Sequence, residues 1–438
     1  MKRFWFILLS LGLITAFSTS AMALDVKFSG EFYAAGMYLD KTNLKKDSGS
    51  DGISTAFYYQ RLRLRTDFVV SPGLTLTTRF DAMERAWGAP RSSASTTLAV
   101  DSTGTTAENE NIAFDWAYIT YASPIGTFDV GIMNDGETGT IFGNSYNPAA
   151  RIKWNNTFGP FILKTAITKS KDNSYTAKNT VTTTDADSDK YGIEGVYQWK
   201  DGKTGVNVNY YRKADKKPTD NYTVKYFLFT PYAIAKIGPV NIQAEFNYAT
   251  GKAKEYDNGI GDQTMEEMSG WIDAQATFGP VYFGGTLAYV SGDDTNTLDK
   301  KEGGDIDGGR DWNPTLILFN YYDRTYWVGG LDGQGIATNS GPMTNAWFVQ
   351  GRVGVKPIAA LDIMASLSYA TADKKPTNFG SGVYGYEVDI TGTYKITNNL
   401  SYMLGVGYLF AGDYFKGTAI NSSVRDDYML INKLTLTF

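Results

Sequence analysis

The chain ends with the stretch YMLINKLTLTF, which runs from Tyr428 to Phe438. In an extended conformation, one face of this stretch carries Tyr428, Leu430, Leu434, Leu436 and Phe438, and only Asn432 interrupts it. The opposite face carries Met429, Lys433, Thr435 and Thr437, with Ile431 as the exception. Alternation with a period of two predicts a β-strand whose two faces meet different surroundings. An edge strand of a soluble sheet is the alternative to a strand that faces lipid.

The same alternation recurs from Val26 onward, in segments joined by tight turns and by longer polar loops. Gly, Pro and Asn favour tight turns for backbone reasons and mark the short connections. They stand at Ser71-Pro72-Gly73, Phe158-Gly159-Pro160, Asp201-Gly202, Gly238-Pro239, Gly279-Pro280 and Asn398-Asn399. The longer loops lie near residues 40–55, 88–110, 136–149, 170–189, 214–222, 252–266, 292–343, 373–383 and 413–424. Short turns at one end and long loops at the other are typical of outer-membrane barrels.

The number of alternating segments is about eighteen, with sixteen as the alternative. A soluble sheet would need a second layer over its apolar face, and no amphipathic helix stands out in the sequence to supply one. Only helices and closed barrels satisfy every backbone polar group in lipid. We therefore predict an all-β fold, a closed antiparallel transmembrane β-barrel with short periplasmic turns and long extracellular loops. Side chains cannot fill a barrel of this size, so an aqueous channel is expected.

The first 23 residues have the pattern of a secretory signal peptide. Lys2 and Arg3 precede a mostly apolar run from Phe4 to Phe17, and Ala21-Met22-Ala23 matches a small-x-small cleavage site. An uncleaved anchor is the alternative, although the apolar run is short for a membrane helix. We predict a signal peptide over residues 1–23 and a single outer-membrane β-barrel domain over residues 24–438.

The composition excludes several classes of function. The 438 residues include no Cys and no His, which removes disulfides, Cys/His zinc sites and hydrolases that depend on His. The net charge is −5 and becomes more negative if Lys2 and Arg3 are cleaved off, which argues against nucleic acid as a partner. Acidic residues alternate in two loops, at Asp185, Asp187 and Asp189 and at Asp305, Asp307 and Asp311. We interpret them as solvated loops, with calcium binding as the alternative, and predict no enzyme activity, cofactor or metal site.

Three short motifs carry a resemblance to a known family. They are Asp25-Val26-Lys27-Phe28-Ser29-Gly30, Trp116-Ala117-Tyr118-Ile119 and Gly126-Thr127-Phe128-Asp129-Val130-Gly131. With the hairpin pattern, they resemble the general bacterial outer-membrane porins, and most closely the porins of metal- and sulfate-reducing bacteria. The aromatic Phe438 on an apolar strand face resembles the assembly signal that the barrel-assembly machinery recognises. The resemblance also implies a homotrimer in contact with outer-membrane lipid and lipopolysaccharide, with a third loop folded into the channel.

The predicted function is passive diffusion of small hydrophilic solutes and ions through a water-filled channel in the Gram-negative outer membrane. A more selective channel is the first alternative. A structural barrel or an outer-membrane enzyme is the second.

Charged residues on the predicted lumen faces indicate a pore constriction. The basic side consists of Arg61, Arg63 and Arg65 on one strand, Arg79 and Arg85 on the next, and Arg151 and Lys153 after the third loop. Asp135 and Glu137, at the start of that loop, form the acidic side. Charges that face each other across a channel orient polar solutes and set ion preference. The alternative is local charge compensation by Asp67, Asp81 and Glu31, with no role in selectivity.

Two further segments carry expectations about the backbone. Thr230-Pro231 lies within an otherwise regular strand, and since Pro cannot donate a ladder hydrogen bond, we expect a bulge there. The loop over 292–343 is too long for a plain connector and is apolar in its middle. It is expected to fold over or into the barrel mouth, to cover a neighbouring subunit, or to add a strand pair.

Overall fold

The computed structural model describes residues 25–44, 53–88, 112–137, 139–173, 186–217, 219–259, 261–331, 342–419 and 421–438. The predicted signal peptide lies outside these residues and stays a prediction. The strands are β1 Asp25–Leu39, β2 Thr55–Ser71, β3 Leu74–Ala86, β4 Ile112–Ser123, β5 Gly126–Asn134, β6 Pro148–Phe158, β7 Phe161–Lys171, β8 Ser188–Trp199, β9 Gly202–Lys213, β10 Tyr222–Ile237, β11 Val240–Tyr256, β12 Gln263–Phe278, β13 Val281–Val290, β14 Lys300–Lys301, β15 Ala346–Ile358, β16 Leu361–Ala372, β17 Val383–Lys395, β18 Leu400–Ala411 and β19 Asp427–Thr437.

Eighteen of these strands form one closed antiparallel barrel, as the sequence predicts, and the alternative of sixteen is wrong. Each strand pairs with the next along the chain, and β1 pairs with β19 through positions such as Phe32 opposite Leu436. The exception is β14, a two-residue strand that pairs in parallel with β12, while β13 pairs directly with β15. Closure leaves no strand edge with unpaired backbone groups, which a lipid environment requires.

The two faces of the barrel have opposite character. On β18, Leu404, Val406 and Phe410 point outward and are about half exposed, whereas Gly405, Gly407 and Leu409 are buried on the inner face. The same division runs through β19, where Leu430, Leu434 and Leu436 lie on the outer face. Among the described residues, no helix is both long and apolar enough to span a membrane. The outward apolar residues of β18 and β19 belong to strands of the barrel.

The connections alternate between short turns at one end of the barrel and long loops at the other. The short turns contain glycines with positive φ, such as Gly159 at 61° and Gly279 at 59°, a conformation that costs glycine little. The first part of β1 meets the last residue of the chain at the short-turn end of the barrel. There, the Gly30 amide donates to the Phe438 carbonyl at 2.8 Å and the Phe438 amide donates to the Gly30 carbonyl at 3.1 Å.

The expected bulge at Thr230-Pro231 is wrong. Strand β10 keeps one register with β11 on both sides of Pro231, as the pairs Phe229 with Tyr248 and Tyr232 with Glu245 demonstrate. On the other side, Pro231 stays paired with Val206 of β9. The strand therefore skips ladder positions at the proline without adding a residue, and its shift in register falls between Thr223 and Lys225.

The apolar core lies inside the barrel and is built around the long connection between β13 and β15, whose described residues 291–331 and 342–345 we call loop B. Trp312, Leu316, Ile317, Leu318 and Phe319 of loop B are buried. They belong to one cluster with inward side chains of the wall: Tyr33, Tyr59, Phe348, Tyr384 and Leu409. The expectation that this loop folds into the barrel is confirmed. Part of the wide lumen is filled because loop B brings its own apolar residues into it.

The terminal aromatic ring is predicted to act in assembly. Phe438 is half exposed on the outer face, and Gly30 leaves room for it, since a Cβ there would lie 2.8 Å from the ring. Deleting Phe438 should reduce the amount of folded barrel in the outer membrane severalfold and leave unit conductance unchanged, because the ring faces lipid and not the lumen. Quantitative detection in outer-membrane fractions and single-channel recording measure the two quantities.

Two point variants separate the ring from the backbone. Phe438→Ala keeps the backbone hydrogen bonds to Gly30 and should show the same defect as the deletion, while Phe438→Trp should assemble normally. Normal insertion of both the deletion and the Ala variant would contradict an assembly role.

Candidate functional site

The loop between β5 and β6 crosses the lumen; we call it loop A (residues 135–147). Its base is closed by hydrogen bonds from the Asp135 amide to the Asn147 carbonyl at 2.8 Å and from the Ser145 amide to the Gly136 carbonyl at 3.2 Å. Its tip reaches β11, where the Thr140 amide donates to Glu245 Oε2 at 2.6 Å. The structure thus places this loop inside the barrel, where the sequence predicted a constriction loop.

Loops A and B contact each other in the lumen. The Phe142 ring of loop A lies 5.9 Å from Trp271 of β12 and 5.2 Å from Trp312 of loop B. The Gly309 amide of loop B donates to the Phe142 carbonyl at 2.6 Å, and the Asp311 amide donates to the Asn144 carbonyl at 3.1 Å. The two loops therefore form one partition across the interior.

Loop B continues to the far wall. The Asp323 carboxylate accepts from the Tyr59 hydroxyl at 3.0 Å and pairs with Lys433 at 3.1 Å. The Trp327 ring lies 4.4 Å from the Tyr59 ring. Loop B therefore leaves the sheet between β13 and β15 and packs against β2 and β19. None of these contacts could be read from the sequence, because each joins residues far apart in the chain.

Four arginines of β2 and β3 pair with carboxylates, which lie on neighbouring strands except for the partner of Arg65 on β2 itself. Arg63 forms a bidentate pair with Asp81, with both N–O distances at 2.7 Å. The other pairs are Arg61 with Glu31 at 3.2 Å and with Glu84 at 3.6 Å, Arg65 with Asp67 at 3.1 Å, and Arg79 with Asp115 at 3.1 Å. Arg85 is almost fully buried. Glu31, Asp67 and Asp81 thus provide the local compensation that the sequence offered as the alternative.

Tyr146 of loop A packs on this group of arginines. The Arg79 guanidinium lies between two rings, 3.8 Å from the centroid of Trp116 and 4.2 Å from that of Tyr146. Arg63 lies 5.4 Å from the Tyr146 centroid. A guanidinium over an aromatic face is attracted by the ring quadrupole. Burial raises the pKa of the Tyr146 phenol, so the ring stays neutral beside the cations. Tyr146 was not among the predicted site residues, although it is an aromatic residue within the predicted constriction loop.

The remaining predicted site residues lie on a different part of the wall. Asp135 pairs with Arg151 at 2.9 Å and with Lys190 at 2.6 Å, and Lys153 pairs with Asp129 at 2.9 Å. The structure therefore brings Asp135 together with Arg151, but not into ion pairs with the arginines of β2 and β3. That these residues form the constriction of the pore stays a prediction.

A polar cavity of about 520 Å³ lies beside loop A, against strands β6 to β10. Its charged lining consists of Arg151, Lys153, Lys164, Lys190 and Lys203 against Asp135, Glu137 and Glu194. An adjoining cavity of about 670 Å³ shares Asp135, Lys190 and Asn209 with it. In the part of the chain that the structure describes, no cluster of His, Cys, Asp or Glu could hold a metal ion. The arrangement offers a water-filled space with an excess of cationic groups.

Lys164, Lys190 and Lys203 were not singled out in the sequence. Two of them had a usable signal: Lys164 alternates with the outward-facing Phe161 and Ile167, and Lys190 precedes the outward-facing Tyr191. Their position on the inner parity of β7 and β8 is what the alternation predicts.

Comparison with known proteins supports the fold. No protein-family model and no curated protein matches the chain. Among solved structures, the Pseudomonas aeruginosa protein OpdQ is 14% identical, with 94% of this chain and 97% of that chain covered and a TM-score of 0.52. A BenF-like porin from Pseudomonas fluorescens Pf-5 is 11% identical, with 94% and 99% covered and a TM-score of 0.53.

A third solved structure, Pseudomonas aeruginosa OpdK with vanillate, is 12% identical, with 94% of this chain and 99% of that chain covered and a TM-score of 0.51. At such identities the likeness concerns the fold alone. It extends over nearly the whole chain, and the structure from Pseudomonas fluorescens is described as a porin. This chain therefore has the fold of an outer-membrane porin.

Proposed function

We propose that this protein is an outer-membrane porin through which small hydrophilic solutes and ions diffuse passively. The observation that carries the proposal is the polar cavity of about 520 Å³ that remains beside loop A within a closed eighteen-stranded barrel. Barrels of this size enclose an aqueous channel unless inserted segments close it. Loops A and B narrow the interior, and the charged wall keeps water in the remaining space.

The surroundings of the barrel follow from the same proposal. The outer face contacts lipid and lipopolysaccharide, the assembly machinery recognises the strand that ends at Phe438, and the protein works as a homotrimer without enzyme activity. The further likeness to porins of metal- and sulfate-reducing bacteria also stays a prediction, because the solved structures above come from Pseudomonas.

Planar-bilayer recording tests the proposal. Folded, detergent-purified protein should insert in discrete steps, each with a conductance that rises with KCl concentration, and heat-denatured protein should not. Absence of any conductance from protein whose barrel is shown intact by circular dichroism would contradict a diffusion channel.

A selective channel for small anionic solutes is the second candidate. It is favoured by the cationic lining of the cavity, in which Lys153, Lys164 and Lys203 are partly exposed. OpdK, one of the structural neighbours, was solved with vanillate, a small aromatic carboxylate. Cations on a pore wall lower the electrostatic barrier for such anions.

The lysines make a direct prediction. The triple variant Lys153→Gln, Lys164→Gln, Lys203→Gln should lower permeation of small carboxylates relative to uncharged sugars of similar size, in a liposome-swelling assay. The reason is loss of positive potential at the cavity wall. The control variant replaces Lys217, Lys252 and Lys374, which pair with Asp257, Asp262 and Asp294 outside the cavity. Equal effects of the two triple variants would reject a selective role for the cavity lysines.

The arginines of β2 make a second prediction. Replacing Arg61, Arg63 and Arg65 with Ser should shift the reversal potential toward cation preference and increase conductance. The substitutions leave Glu31, Asp81 and Asp67 without these guanidinium partners. The shift should be largest at low salt, because exposed charges are screened over about 10 Å at 0.1 M.

The reciprocal variant is the matched control for the arginines. Glu31→Gln, Asp67→Asn and Asp81→Asn together should shift the reversal potential in the opposite direction. Unchanged selectivity of the arginine variant at low salt would mean that these pairs only stabilise the wall.

A further inference from the structure

Three buried glutamates on the barrel wall share an unusual set of partners. Glu245 on β11, Glu267 on β12 and Glu387 on β17 are 4%, 0% and 0% exposed. Each of the three carboxylates accepts hydrogen bonds from backbone amides of an inward loop. A buried carboxylate must be neutralised or well hydrogen-bonded. The loop backbone therefore provides the partners that these wall carboxylates need.

Glu387 makes the most extensive of these contacts. Its Oε1 accepts from the Leu316 amide at 3.0 Å and from the Ile317 amide at 2.6 Å, and its Oε2 accepts from the Leu318 amide at 2.7 Å. Three successive amides thus converge on one buried carboxyl group, and its two oxygens accept all three hydrogen bonds.

The turn around Glu387 is shaped for this contact. Phe319, directly after the three donors, has a φ of 52°, a left-handed conformation that is uncommon for a bulky residue. The turn is closed by hydrogen bonds from the Thr315 hydroxyl to the Leu318 carbonyl and from the Asn320 side-chain amide to the Thr315 carbonyl. The carboxylate of Glu387 compensates for this constrained backbone.

The wall beneath the turn has a socket for it. Gly405 and Gly407 on the inner face of β18 lack side chains at the place where Leu316 packs. A Cβ at Gly405 would lie 3.2 Å from Leu316 Cδ1, and a Cβ at Gly407 would lie 3.0 Å from Leu316 Cβ. The close approach of loop and wall therefore depends on glycine at both positions.

The other two glutamates hold their loops in the same manner. Glu267 Oε2 accepts from the Asp305 amide at 2.9 Å and the Ile306 amide at 2.8 Å, both in loop B. Glu245 Oε2 accepts from the amide and the hydroxyl of Thr140 in loop A, at 2.6 Å and 2.9 Å. Glu245 thus holds loop A far from where it leaves β5, and Glu267 holds residues 305 and 306 of loop B beside its exit from β13, where the Ser291 amide donates to the Met268 carbonyl.

We propose that Glu245, Glu267 and Glu387 are latches: positioning residues that hold loops A and B inside the barrel and thereby set the cross-section of the channel. This inference rests on the proposed channel function. Glu387 is the principal latch, because it binds three consecutive amides. Release of its contact lets residues 315–320 move away from β18, so that the channel both widens and fluctuates.

Hydrogen exchange tests the latch without reference to conduction. In Glu387→Gln, the amides of Leu316, Ile317 and Leu318 should exchange about tenfold faster or more than in the unmodified protein, because an NH2 group that cannot accept replaces one of the two oxygens that hold them. The control is Asp273→Asn, which removes a carboxylate whose partners, Arg352 and Thr286, belong to the wall. In this control the exchange of residues 316–318 should be unchanged.

Single-channel recording of the same proteins tests the effect on the pore. Glu387→Gln should raise mean conductance and open-channel noise, whereas Asp273→Asn should leave the noise unchanged. Glu387→Asp keeps the carboxyl group but shortens the side chain, so that it no longer reaches the three amides, and should also raise the noise. A Glu387→Asp variant that behaves like the unmodified protein would contradict the latch.

Unchanged exchange and noise in all Glu387 variants would overturn the latch, while the channel proposal would stand. If even the unmodified protein fails to conduct, the channel proposal fails. The hydrogen-exchange rates of residues 316–318 then decide whether Glu387 holds loop B.

Discussion

The pairing of β1 with β19 is the interaction on which the rest of the structure depends. It satisfies the last unpaired strand edges, and without it the outward face could not be surrounded by lipid. Closure also fixes which residues face inward, because side chains alternate on every strand. The apolar residues that end at Phe438 face outward, and the ion pairs of β2 and β3 face the interior. The need to pair every backbone group in lipid thus determines which side chains form the outer face of the barrel and which form the inner face.

An eighteen-stranded barrel is too wide for its wall side chains to fill. The chain narrows the space with two loops, and each brings backbone amides that need acceptors inside the protein. Glu245, Glu267 and Glu387 provide these acceptors, and the loops in turn stabilise carboxylates that would be costly to bury alone. The same hydrogen bonds therefore hold the loops in position and allow the glutamates to be buried.

The alternation in sequence is local, and what depends on it was predictable. It predicted eighteen strands, the long-loop end and the inward parity of Arg63, and the loop after β5 does enter the lumen. The partners of that loop were not predictable, since Thr140 meets Glu245 across the barrel and no local pattern encodes such a distance. The prediction for Pro231 was wrong because a skipped ladder position is enough to accommodate a missing donor.

The outer face of the barrel meets lipid, and the inner face of β6 to β10 meets conducting water. Val206 and Asn207 of β9 are neighbours, the first on the outer face and the second on the wall of the cavity. Since the chain has no Cys, single cysteines at these positions can be compared directly with a charged, water-soluble thiol reagent during bilayer recording. Asn207→Cys should react and lose conductance, and Val206→Cys should not. Reaction at Val206→Cys, or an unreactive Asn207→Cys, would contradict the account.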